Sequence, residues 1–158
     1  MRHTNFNTYF YAVMWSKQEA KNRKREFFTN FGIYMKKYIP KYGHKIRWVN
    51  YRTGLNSIRF KIEVSKKSSR VCIDIINSDK GVREVFFEQF EEFKTLISQN
   101  MDTLIWEKQY RIDSGIYISR IYTELNGPTI NMDSEWIHIY HFFEKNLIAL
   151  HEFWEISK

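Results

Sequence analysis

Three side chains on two neighbouring stretches have the types that do chemistry together: Lys61 and Glu63 within residues 58–64, and Asp74 within residues 70–77. Two carboxylates and an ammonium on one face suit magnesium-dependent hydrolysis of a phosphodiester, the carboxylates holding the ion and the lysine positioning or activating water. Their meeting depends on strand register. If Val64 lies opposite Val71, Lys61 falls opposite Asp74 and Glu63 points the same way. Against this, Asp74-Ile75-Ile76 puts isoleucine where an acidic-x-Lys element would carry its lysine. The competing reading is a cross-strand ion pair worth about 0.2–1 kcal/mol, with no catalytic residue, no metal ligand and no cofactor. Magnesium is expected only under the hydrolytic reading.

Other constellations are weaker. His138, His141 and Glu144 recur at spacings of three, but a zinc site needs a further convergent ligand, and solvated histidines beside an apolar seam are expected instead. Cys72 is the single cysteine, so an internal disulfide is excluded and a reducing compartment, the cytoplasm, is expected. There is no phosphate-binding Gly-rich loop, no dinucleotide fingerprint and no nucleophile elbow.

Charge is the stronger signal. The net +7 conceals 17 Lys and Arg against 3 Asp and Glu in residues 1–70, and 8 against 15 in residues 71–158. A basic half attracts polyanions through phosphate contacts and counterion release. Lys17, Lys21, Lys24, Arg25, Arg47, Arg52 and Arg59 are the expected nucleic-acid contacts. The other outcome is mutual neutralisation of the two halves, within the fold or across a homodimer.

These residues need elements to position them. The 18% aromatic content supplies a core and excludes disorder for most of the chain. Ser16-Lys17-Gln18-Glu19 reads as a capping box opening a first helix that runs to about Tyr38, with Phe27, Phe31, Tyr34 or Met35, and Tyr38 inward and the lysines outward. Residues 46–50 alternate as a first strand, and Thr53-Gly54 supplies turn chemistry. Ile58, Phe60, Ile62 and Val64 against Arg59, Lys61 and Glu63 give a half-buried second strand. Residues 70–77 return as a third. Ser78 or Asp79 caps a second helix to about Ser98, with Phe86, Phe90, Phe93 and Ile97 inward. Residues 104–112 and 116–125 form a hairpin about Asp113-Ser114-Gly115, and Asn126-Gly127-Pro128 breaks the chain. Asp133 or Ser134 opens a last helix whose Trp136, Tyr140, Phe143, Leu147, Leu150 and Trp154 form one apolar seam.

The expected fold is α+β: a largely antiparallel five-stranded sheet packed with three helices, in the order α-β-β-β-α-β-β-α, as one domain over residues 14–158. Met14 offers an internal start, leaving residues 1–13 as an extension that is either frayed or an edge strand. No stretch reaches the length of a membrane span, so no membrane association is expected.

Several short runs together resemble the bacterial domain of unknown function 4268 family over about residues 14–156. They are Phe31-Gly32 with Tyr34-Met35, Trp48-Val49-Asn50-Tyr51 with Thr53-Gly54, Glu88-Gln89-Phe90, Lys94-Thr95-Leu96, Arg120-Ile121-Tyr122, and Leu150 with Glu152-Phe153-Trp154. The resemblance implies no activity and no catalytic residues. Members also occur fused to nuclease-like or defence-associated domains, which implies a nucleic-acid context by association. The order of elements also matches the core of restriction-endonuclease-like folds. Three functions are therefore carried forward: a non-catalytic nucleic-acid-binding accessory domain, a protein-interaction module or charge-paired homodimer, and a magnesium-dependent or degenerate nuclease-like domain.

Overall fold

The computed structural model describes residues 6–41 and 43–157, with side chains described from Ser16 onward. Helix α1 spans Phe6–Tyr34 and tightens into a 3₁₀ turn at Met35–Lys37. Strands β1 (Ile58–Val64) and β2 (Ser68–Ile75) follow, then helices α2 (Lys80–Glu92) and α3 (Lys94–Ser98). Strands β3 (Ile105–Arg111) and β4 (Tyr117–Asn126) precede a 3₁₀ turn at Asp133–Glu135 and helix α4 (Trp136–Ser157).

Helix α1 starts ten residues ahead of the expected cap. Residues 6–15 contain neither Gly nor Pro to stop a helix, so the Ser16–Glu19 box falls inside it. Residues 6–13, one reading of which was an edge strand, are helical, and residues 1–5 lie outside the described residues. From Ser16 to Glu26 every residue is exposed except the half-buried Arg23. Burial begins at Phe27 and continues through Phe31 and Met35.

The sheet has four antiparallel strands in the order β1-β2-β4-β3, not five. Residues 46–50, expected as a strand, instead run as irregular chain that turns at 48–50. The Trp48 ring is buried, edge-on against Tyr38 (centroids 5.1 Å) and His151 of α4 (5.7 Å). Anchoring that ring on a helix overrides the local preference for extended pairing.

Strand β1 alternates as its sequence demands, with Ile58, Phe60, Ile62 and Val64 buried. They share a face with Val71, Ile73 and Ile75 of β2 and with Ile121 of β4. Helices α2 and α4 pack there: Phe60 meets Trp154 of α4 and Trp106 of β3 meets Phe87 of α2. Helix α4 is buried along the whole expected seam and also at Ile139, Phe142 and Phe153.

The expected second helix is divided. Asp79 caps α2 by accepting from the Val82 amide at 3.2 Å, and the Phe93 amide bonds back to the Phe90 carbonyl at 3.0 Å, tightening and ending the last turn. Phe87 is buried where Phe86 was expected, and Phe93 is left 43% exposed. Four helices therefore stand where three were expected, and no restriction-endonuclease-like core is seen among the described residues.

Candidate functional site

The β1–β2 register decides the first site. Chain reversal at Lys66-Lys67 is closed by the Ser65 amide donating to the Ser68 carbonyl at 2.8 Å. That turn sets Ile62 opposite Val71, Lys61 opposite Cys72 and Arg59 opposite Asp74. The expected Val64–Val71 pairing is thus displaced by two residues, a slip that keeps every side chain on its expected face. Lys61, Glu63 and Asp74 do share a face. Between the two carboxylates stands Arg120, which β4 delivers opposite Asp74.

Arg120 is 2% exposed and Asp74 4%. The guanidinium grips Asp74 with two parallel bonds, Nε to Oδ1 at 2.7 Å and Nη2 to Oδ2 at 2.8 Å. It also donates to both Glu63 oxygens, at 3.2 and 3.1 Å. Lys61 Nζ lies 3.4 Å from Glu63 on the outer side. Tyr110 of β3 covers the guanidinium, 4.4 Å from its ring centroid, and accepts a bond from Arg70 at 2.9 Å. Arg70 in turn pairs with Glu124 and lies over Tyr122. Burial raises Asp74 and Arg120 opposes this in part, whereas the more open Glu63 is raised by burial but pulled below the ordinary carboxylate range by Arg120 and Lys61. Cys72 lies beneath this layer, fully buried, its thiol pushed far up by burial. Among the described residues no group of three His, Cys, Asp or Glu side chains is arranged to hold a metal ion. What the face achieves chemically is neutralisation: an arginine occupies the space between the acids.

The candidate zinc residues go elsewhere. Glu144 accepts from Tyr34 and Lys37, His141 lies tilted at 48° to the Tyr34 ring, and His138 is exposed.

The second site is the chain between α1 and β1. Its irregular course is held at three points. Trp48 is buried between Tyr38 and His151, and the Tyr51 hydroxyl lies 2.5 Å from His151 Nδ1. Thr53 Oγ1 donates to the Ile58 carbonyl at 2.7 Å, while the Thr53 carbonyl accepts from Trp154 Nε1 at 2.9 Å. Burial pushes the Tyr51 phenol up to about 12, so it remains protonated. Gly54 supplies the positive φ of 83° that the turn into β1 needs.

Two adjoining grooves flank this segment. One, of about 460 Å³, includes Lys36, Lys45 and Arg47 in its wall. The other, of about 660 Å³, includes Lys41, Lys45, Arg47 and Arg52, with Glu152 and Glu155 of α4 on its far side. Among the described residues, none of these five cations makes an ion pair.

The structure therefore divides the seven expected cations. Arg47 and Arg52 come together in the larger groove. Lys17, Lys21, Lys24 and Arg25 lie on the exposed half of α1, and Arg59 is exposed on the sheet face that carries Arg120. With no strand at residues 46–50, there is no hairpin with β1 to bring Arg59 beside Arg47 and Arg52. Sequence reasoning missed Lys36, Lys41 and Lys45, whose positions depend on the irregular path, and missed Arg120, whose role depends on strand order.

The fold and grooves define an α+β domain with one antiparallel sheet, helices on its apolar face and a cationic segment anchored to the last helix. A family model described as domain of unknown function (DUF4268) matches residues 23–158. The chain belongs to that family. No curated protein and no solved structure matches it. Among the described residues, no helix is long and apolar enough to cross a membrane.

Proposed function

We propose that the protein binds nucleic acid through the cationic grooves of residues 36–52 and performs no chemistry on it. The observation that carries this reading is the convergence of Lys36, Lys41, Lys45, Arg47 and Arg52 on two adjoining grooves without ion-pair partners among the described residues. All five are exposed, and a row of accessible, unpaired cations on anchored chain suits phosphate oxygens, which Arg meets with two parallel bonds. Arg120 supports the non-catalytic part, because it already holds the two carboxylates that a magnesium ion would need. The lone buried cysteine fits a cytoplasmic setting.

If all five cations meet phosphates, affinity falls with salt at a log–log slope of about −3.5 on single strands and −4.5 on duplex, at 0.7 and 0.9 per contact. Fluorescence anisotropy with a labelled single strand and a labelled duplex over a salt series measures it. Arg47→Gln and Arg52→Gln each reduce the slope by about one contact's worth. Absence of binding to both probes at low ionic strength, or an unchanged slope in both variants, overturns the reading.

A further inference from the structure

The sheet ends in two edge strands, β1 and β3. An edge presents a row of unpaired backbone donors and acceptors, which proteins blunt with bulges, covers or charges. Strand β3 is blunted, because its pairing with β4 slips between Glu107 and Tyr110, an irregularity that bends and twists a strand. Strand β1 is not. It pairs with β2 without interruption from Ile58 to Val64.

Which backbone groups of β1 face outward follows from the bonds at its two ends. The Ser65 amide donates to the Ser68 carbonyl and the Ile76 amide to the Ser57 carbonyl, both at 2.8 Å. Bonded pairs alternate along an antiparallel ladder, so Arg59, Lys61 and Glu63 spend their amides and carbonyls on β2. Ile58, Phe60, Ile62 and Val64 direct theirs away from it. Ile58 is already satisfied: its amide donates to the Leu55 carbonyl at 3.3 Å and its carbonyl accepts from Thr53 Oγ1 at 2.7 Å. Among the described residues, no hydrogen bond reaches the outward amides and carbonyls of Phe60, Ile62 and Val64.

A second β1 strand satisfies them all. We propose that two copies of this chain join antiparallel along β1, making one continuous sheet across both molecules. The contact is isologous and closes at a dimer.

Charge selects the register. With Ile62 opposite Ile62 of the second copy, Phe60 meets Val64 and every outward group finds a partner. Lys61 then falls opposite Glu63 in both halves of the contact, on the face where Lys61 is exposed and Glu63 half-buried, and opposite charges so placed stabilise a strand pair. Sliding the symmetric pairing one way sets Lys61 against Lys61 and Val64 against the occupied Ile58. Sliding it the other way sets Glu63 against Glu63 and carries Phe60 past the end of the strand. The inference stands whether or not the grooves of residues 36–52 bind nucleic acid.

Sedimentation velocity and amide hydrogen exchange read by NMR, both on nuclease-treated full-length protein over a concentration series, test it. The expected result is a monomer–dimer equilibrium in which the Phe60, Ile62 and Val64 amides are protected in the dimer and lose that protection on dilution. Lys61→Glu and Glu63→Lys each oppose like charges twice in the contact and weaken the dimer about tenfold, with circular dichroism verifying that each stays folded. An equimolar mixture of the two variants restores both opposed pairs and dimerises more tightly than either alone. Should Glu63→Lys fail to fold, the exchange measurement on wild-type protein decides. Protein that stays monomeric at high micromolar concentration overturns the proposal. So does a dimer whose three edge amides exchange as fast as in the monomer, assembly that grows beyond a dimer, or a mixture of folded variants no tighter than its components.

Discussion

Replacing Arg120 with methionine removes the cation that two acids of the sheet face share. Asp74 is then left 4% exposed with both of its 2.7 and 2.8 Å bonds gone. Breaking a buried pair by removing one partner costs about 3–5 kcal/mol, because the surviving charge has neither water nor a counterion. Loss of the guanidinium from the Tyr110 ring adds about 0.5–1 kcal/mol. Glu63 contributes little, since its side chain is 32% exposed and water replaces much of what Arg120 supplied. The sum is about 5 kcal/mol, a third or more of the 5–15 kcal/mol typical of a domain. Urea denaturation followed by far-UV circular dichroism reads this as a lowered midpoint at unchanged slope. The informative comparison is Asp74→Leu/Arg120→Met. Replacing both members of a buried pair with apolar groups is often near neutral, so the double variant recovers most of the loss. A single variant costing under about 1 kcal/mol refutes the reasoning, as does a double variant no more stable than the single.

Two further outcomes follow from the same geometry. Glu63, Asp102 and Glu144 are each raised by burial yet drawn below their ordinary values overall, by Arg120 and Lys61, by Lys145 and Asn146, and by Tyr34 and Lys37 respectively. A depressed folded value means stability that is complete above the unfolded value and lost as pH falls through the folded one. Thermal midpoints therefore decline below the ordinary carboxylate values of 3.8 and 4.5, and Glu144→Gln together with Asp102→Asn flattens the decline. Midpoints equally pH-dependent in that variant contradict the assignment. Cys72 resists alkylation until the chain unfolds, because burial holds its thiol protonated; rapid labelling of native protein, followed by mass spectrometry, would show the sheet face to be open.

Much of the fold is legible where burial follows a simple period. The alternation of Ile58–Val64, the Asp79 cap and the seam of α4 each depend on residues close in sequence, and each is found where periodicity puts it. Register and strand order are different, since they depend on what lies beyond the hairpin. Nothing in Ile118-Ser119-Arg120 announces that β4 inserts beside β2, yet that insertion turns a three-residue acid–lysine set into an arginine-centred network. Ser16-Lys17-Gln18-Glu19 misleads for a related reason: a capping box marks a helix start only where the preceding chain cannot be helical, and residues 6–15 can. At residues 46–50 alternation is present, but the burial of Trp48 on α4 decides the path. The charge division is plain in the sequence, while the grouping of Lys36, Lys41 and Lys45 with Arg47 and Arg52 requires the irregular segment to be traced.

That segment has almost no regular secondary structure, yet Trp48, Tyr51 and Thr53 tie it to α4 and β1. Its conformational entropy is consequently surrendered when the chain folds rather than when a ligand arrives. Under the proposed function, such a segment would meet its ligand with little rearrangement, and loosening Trp48 or Trp154 would slow recognition without touching a single cation.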